Sequence, residues 1–226
     1  MALLHVQWLG SIDYHSAWQI QRELVWQRQE GAIPDTLLLL EHRPPVITLG
    51  RASHAEHLLV TPQRLEQLGI QLVETDRGGD ITYHGPGQLV GYPVLDLRQH
   101  GRDVHLYLRR LEEVIITALA HFGIAGHRKE GLTGVWVGEE KIAAIGIKVS
   151  HWITMHGFAL NVCPDLSHFE LIVPCGIRDK GVTSVQNLLG REVTLQEVVP
   201  SVTEAFAQVF SLQPVAVPAP VSPVPL

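Results

Sequence analysis

Apolar and polar residues recur along this chain with two different periods, and the periods mark out its elements. In residues 13–31, "DYHSAWQIQRELVWQRQEG", Ala17, Ile20 and Leu24 share one side of a 3.6-residue repeat. Asp13 can cap the start and Gly31 can end it, so the pattern predicts an amphipathic helix. From Asp103 to Phe122 the apolar set Val104, Leu108, Leu111, Ile115, Ala118 and Phe122 steps by 4, 3, 4, 3 and 4. That predicts a second helix, with Gly123 as its terminator. "TLQEVVPSVTEAFAQVF" opens on Thr194 with Glu197 three residues on, a capping box, and predicts a last helix despite Pro200.

Between these lie short runs rich in β-formers. "TLLLLEH" and "PVITLG" read as strands joined by a turn at Arg43-Pro44-Pro45. "IQLVET" and "QLVGYPVLDL" read as strands on either side of a glycine-rich loop. "GVWVGEEKIAAIGIKV" reads as a hairpin about Gly138-Glu139-Glu140, and "HWITMHGFALNV" as one more long strand. The strands come in adjacent runs rather than alternating with helices. The expected fold is therefore α+β, a mixed or antiparallel sheet packed with helices, and not a doubly wound parallel sheet. One domain is expected over residues 1–212. The remainder, 213–226, carries too many prolines for helix or sheet and is expected to be an extended, mobile tail.

Composition narrows the function. Across 226 residues, 46% are hydrophobic, enough for a sizeable core. Seventeen Lys and Arg against 23 Asp and Glu give a net charge of −6, which disfavours a general nucleic-acid binder. The two cysteines, Cys163 and Cys175, are too few for a disulfide framework and point to a reducing cytoplasm. The N-terminus has no basic segment followed by a long apolar run, so no signal peptide is expected. No stretch has the roughly 18 apolar residues of a membrane helix.

The densest chemistry is in "RGGDITYHGPGQ", Arg77 to Gln88. Its glycines let backbone N–H groups approach a ligand. It lacks both the G-x-G-x-x-G of dinucleotide binders and the Gly-Lys-Ser/Thr of phosphate loops. An apolar ligand fits better, with Ile81, Tyr83 and Leu89 beside a bare backbone wall; the plainer alternative is a tight turn between strands. Arg77, His84 and Gln88 favour a site. Cys175, in "LIVPCGIRD", sits between a proline and a glycine at the end of an apolar run, whereas Cys163 continues a strand pattern and reads as packing. A reactive thiol needs a base, because an unperturbed one ionises with a pKa of about 8.5. His is the usual helper, and Lys141 in "EEKIAAIGI" is another. Desolvation on that strand would let its amine take a thiol proton, and snorkelling to water is the commoner alternative. His84, His151 and His156 have no metal-ligand spacing, so no metal is expected. The absence of Gly-x-Ser-x-Gly disfavours a serine hydrolase.

"RGGDITYHGPGQLVGYPV", "GVWVGEEKIAAIGIKVSHWITMHGFALNV" and "IVPCGIRDKGVTSV", three long motifs in order, closely resemble the lipoyl (octanoyl) transferase family, also called lipoate–protein ligase B. The resemblance runs from about Leu37 to Leu189. It implies the fold of the biotin and lipoate protein ligases. It also implies transfer of an octanoyl group from octanoyl–acyl carrier protein to a lysine of lipoyl domains, those of the 2-oxoacid dehydrogenase complexes and the glycine cleavage H protein. No cofactor, nucleic acid or membrane takes part. Cys175 corresponds to the family's acyl-thioester nucleophile and Lys141 to the lysine that lowers its pKa. Acyl-binding positions fall on Arg77, Gly78, Gly79, Asp80, Ile81, Thr82, Tyr83 and His84, on Ala144, Ile145 and Gly146, and on Gly157, Phe158 and Ala159. Asp80 stands at a variable family position and is expected to be non-essential. Rival readings are an ATP-dependent lipoate or biotin ligase on the same fold and a non-catalytic acyl-binding protein. An acidic carrier docking on an acidic chain needs a local basic patch; Arg98, Arg102, Arg109 and Arg110, or Arg128 and Lys129, are candidates, as is a merely solvated helix face for either group.

Overall fold

A computed structural model describes residues 1–173 and 181–218. In chain order the elements are β1 (Ala2–Ile12), α1 (Tyr14–Gln29), β2 (Asp35–His42), β3 (Val46–Leu49), α2 (Pro62–Gln67), β4 (Gln71–Glu74), β5 (Thr82–His84) and β6 (Gln88–Val94). There follow α3 (Val104–Ala120), β7 (His127–Lys129), β8 (Leu132–Val137), β9 (Glu140–Ser150), β10 (Ile153–Asn161), α4 (Val185–Leu189), α5 (Leu195–Phe210) and β11 (Leu212–Ala216).

Among the described residues the strands make two sheets. The larger has eight strands in the order β11-β1-β2-β6-β10-β9-β8-β7, and the smaller has three in the order β4-β3-β5. β11, β1 and β2 run parallel, and every other pairing of the larger sheet is antiparallel. This is the mixed sheet that the clustering of strands predicts.

Burial of both faces explains the unbroken apolar run in β2. Successive side chains of a strand point to opposite faces. Leu37 and Leu39 join the core under α3 and α5, and Leu38 and Leu40 join the core under α1. The helix caps fall where the side chains dictate: Asp13 accepts from Ser16 N, Asp103 from His105 N and Leu106 N, and Thr194 and Glu197 close a capping box.

The C-terminal tail departs from expectation. Residues Leu212–Ala216 form the edge strand β11, paired parallel to Ala2–Val6 of β1, and Val217 N continues the pairing onto Val6 O. Pro214 is tolerated because an edge strand needs only half of its N–H groups.

Glu112 ties α3 to the β7–β8 hairpin. Its side chain is fully buried; Oε1 accepts from Gly134 N at 3.1 Å, and Oε2 accepts from Arg109 Nη1 at 2.7 Å and Arg128 Nε at 3.0 Å. Both arginines reach solvent, so the main loss on removing the carboxylate is the buried N–H partner. Glu112→Ala is expected to lower unfolding free energy by about 1–3 kcal/mol in urea titration. The same contacts alter the picture of the basic clusters: Arg98 pairs with Asp96, Arg109 and Arg128 with Glu112, and Lys129 with Glu139. Acids adjoin the cations that sequence groups together.

Candidate active site

The glycine loop folds into a cavity of about 530 Å³, within the range of small-molecule sites. Local hydrogen bonds hold it there. Arg51 N donates to Arg77 O, Ala52 N to Gly79 O and Gly78 N to Ile147 O, so the loop is stitched between the chain leaving β3 and strand β9. Arg77 is buried, with Nη2 2.8 Å from both the carbonyl and the hydroxyl oxygen of Thr48 and Nη1 donating to Gly78 O. These bonds brace the loop against β3.

The cavity gathers nearly all the positions that sequence assigns to acyl binding. Arg77, Gly78, Gly79, Asp80, Ile81, Thr82 and His84 line it from the loop. Ala144, Ile145 and Gly146 line it from β9, and Gly157, Phe158 and Ala159 from β10. These two triplets are direct ladder partners, Gly157 opposite Gly146 and Phe158 opposite Ile145. Glycine is required at position 157, and a side chain at position 146 would be tight. A Cβ on Gly157 would stand 2.1 Å from Gly91 O, and one on Gly146 would stand 3.1 Å from the Arg77 side chain.

Tyr83 is the exception. Strand alternation turns it away from the cavity into the core of the small sheet, where its hydroxyl meets His168 Nδ1 at 2.8 Å. It lines a separate groove with Cys163. Leu89, expected beside the loop, lies in the core under α3.

Lys141 lines the same cavity and is 8% exposed, so it is not a snorkelling surface lysine. Its Nζ stands 4.9 Å from the ring centroid of Trp136, its ladder partner on β8. Its backbone N donates to Gly181 O at 2.9 Å, and its O accepts from Thr183 N at 3.0 Å. Cys175 lies outside the described residues. The described residues on either side of its segment, Val173 and Gly181, are bonded to the backbones of His57 and Lys141, both cavity residues. Cys163 is half-buried, and burial, reinforced by Glu41, pushes its thiol up. That favours the unreactive form.

The inner wall carries His156, weighed in sequence only as a metal ligand, and groups that sequence reading missed. His156 has φ of +58°, uncommon for a residue with a side chain. Its N donates to Gln21 Oε1 of α1, and its Nε2 lies 2.7 Å from Asp76 Oδ1. Burial lowers its pKa, with Asp76 opposing. The Asp76 carboxyl is pushed up by burial, but hydrogen bonds from Lys148 and His156 outweigh this and hold it below its usual value. Tyr14 and Tyr92 complete the wall. Beside them, the Nδ1 of His42 meets Ile12 O at 3.2 Å and its Nε2 meets Tyr92 OH at 2.7 Å. A carbonyl can only accept, so His42 carries its proton on Nδ1 and receives one from the tyrosine. These residues are scattered through four elements, and no motif joins them.

The histidines make the site acid-sensitive. Burial pulls the pKa of His42 down to about 4, and that of His84 well below the ordinary value. The unfolded chain therefore binds protons that the folded chain refuses. This contribution to stability is complete above the unfolded value of about 6.5 and is lost as pH falls toward the folded value. For His42 it amounts to about 3 kcal/mol between those limits. Urea midpoints are expected to fall steeply from pH 7 to pH 5, and less steeply in His42→Gln.

The lipoyl protein ligase A/B catalytic domain model matches residues 13–207. An octanoyltransferase of Chloroflexus aggregans is 54% identical over 218 residues, covering 95% of this chain and 98% of that protein. One from Solibacter usitatus is 56% identical over 205 residues, covering 91% and 92%. Among solved structures, lipoate–protein ligase A bound with ATP matches with a TM-score of 0.81 at 18% identity, over 96% of this chain and 90% of that one. Biotin protein ligase from Aquifex aeolicus matches with a TM-score of 0.52 at 15% identity, over 93% and 70%. These structural likenesses establish the fold, and the sequence matches establish the kinship: the chain belongs to the lipoyl protein ligase A/B catalytic-domain family, beside its octanoyltransferases.

Proposed function

We propose that this enzyme transfers an octanoyl group from octanoyl–acyl carrier protein to a lysine of lipoyl domains, in the cytoplasm, through a thioester on Cys175. The observation that carries the reading is the convergence of the glycine loop, the β9–β10 triplets and Lys141 on one cavity. The apolar side chains of Ile81, Ile145, Ile147 and Phe158 suit an alkyl chain, each buried methylene of which contributes about 0.8 kcal/mol. The acceptors are the lipoyl domains of 2-oxoacid dehydrogenase complexes and the glycine cleavage H protein. Residues 1–212 act as one catalytic domain.

The chemistry follows from the groups present. Lys141 takes the proton of Cys175, and the thiolate attacks the carrier thioester. As the tetrahedral intermediate collapses, Lys141 returns a proton to the departing carrier thiol. Exchange of one thioester for another is nearly balanced and needs no ATP. The acceptor amine then attacks the acyl-enzyme, and conversion of thioester to amide drives the reaction forward. Covalent catalysis separates the two protein partners in time.

The direct test mixes the protein with octanoyl–acyl carrier protein and a lipoyl domain, without ATP. The domain is expected to gain one octanoyl mass. Transfer that requires free octanoate and ATP would assign the adenylate-forming chemistry of a ligase instead. Binding of the chain without transfer would make the protein a non-catalytic acyl carrier.

A further inference from the structure

Proton counting leaves a gap in this mechanism. The acceptor lysine arrives as an ammonium with three protons, and the amide nitrogen keeps one. Lys141, left neutral after donating to the carrier thiol, takes back one as Cys175 departs as thiolate. One proton per turnover remains, and a base must remove it before the amine can attack.

We infer that His57, beside Asp80, accepts this surplus proton from the incoming lysine and passes it to solvent. The proposal rests on the acyl-enzyme reading above. Both residues line the cavity. Asp80 Oδ1 accepts from Ile81 N at 2.7 Å, which fixes the carboxylate. Its other oxygen, Oδ2, lies 2.5 Å from His57 Nδ1. That contact is close without being aligned as a hydrogen bond. With the carboxylate facing Nδ1, Nε2 is the atom left to receive the proton. The imidazole is 15% exposed, a route for the proton to leave.

The backbone fastens His57 to the last described residue before the nucleophile. His57 O accepts from Val173 N at 2.8 Å, two residues before Cys175. Leu58 bridges Ile172 and Leu59 N donates to Leu171 O, so the turn bearing His57 is fastened to that side of the chain. The titratable groups against the ring are Asp80 and, with ring centroids 5.3 Å apart, His54; Glu56 adjoins it in sequence and is exposed. Lys141 reaches the cavity from β9, on a different element. One base therefore serves the thiol and another serves the amine.

The experiment separates the half-reactions. Octanoyl-enzyme is prepared from octanoyl–acyl carrier protein, freed of carrier, and mixed with a lipoyl domain; both steps are followed by intact-mass spectrometry. His57→Gln is expected to slow transfer to the domain about 10²-fold at pH 7. The loss is at least about tenfold greater than any loss in enzyme acylation, and it shrinks at high pH as the acceptor amine deprotonates unaided. Added imidazole is expected to restore transfer in His57→Ala. Asp80→Asn is expected to slow transfer by a smaller factor. Transfer at the wild-type rate in His57→Gln, or equal loss in both steps with no imidazole rescue, overturns the proposal. Absence of any octanoyl-enzyme in the wild type overturns the acyl-enzyme reading first and this inference with it.

Discussion

Cys175→Ser is expected to end octanoyl-enzyme formation, with transfer falling on the order of 10³-fold or more. A serine hydroxyl in the same place is not ionised at neutral pH and has no thiolate to offer. Intact-mass spectrometry after incubation with octanoyl–acyl carrier protein should show one octanoyl adduct on the wild type and none on the variant. Cys163→Ser is the control and should keep the adduct. Cys163 packs against the core, and burial holds its thiol in the protonated form. It also lines the Tyr83 groove and not the loop cavity. An adduct that persists in Cys175→Ser and vanishes in Cys163→Ser would reverse the assignment and move the chemistry to that groove.

Lys141→Ala should slow enzyme acylation about 10²-fold or more near pH 7, the usual contribution of a positioned acid–base group. The diagnostic feature is pH dependence. Without the amine the thiol must ionise alone, so the rate should climb as pH approaches the ordinary thiol value of about 8.5. The Lys141 side chain is packed between the cavity and the Trp136 ring, so truncation also removes packing, which pH does not restore. Recovery at high pH therefore distinguishes lost acid–base work from lost structure. Lys141→Arg should not restore activity, because a guanidinium stays charged and cannot accept the proton. A rate independent of pH and equal to wild type would remove Lys141 from the mechanism.

The sequence by itself determined the elements whose signals are local. Caps at Asp13 and Thr194, the 3.6 period of α3, and the turn at Gly138 act within a few residues, so they can be read without knowing what lies opposite. It also singled out the loop, because glycine set among so many polar side chains is unusual locally; the β9–β10 triplets came from the family resemblance.

Only the tertiary structure decided the rest. β11 becomes a strand because β1 offers it an edge, and no property of a proline-rich segment announces a partner some 200 residues away. Tyr83 leaves the cavity because the pairing of β5 with β3 sets which way each side chain of the strand points. Arg77, a cavity-lining residue, also braces the loop because the fold brings Thr48 beside it. His57, His156, Tyr14 and Tyr92 enter the site from separate elements, joined by packing alone. Catalytic geometry depends on distances between atoms remote in sequence, and those distances are set by how the sheet registers and what the core buries.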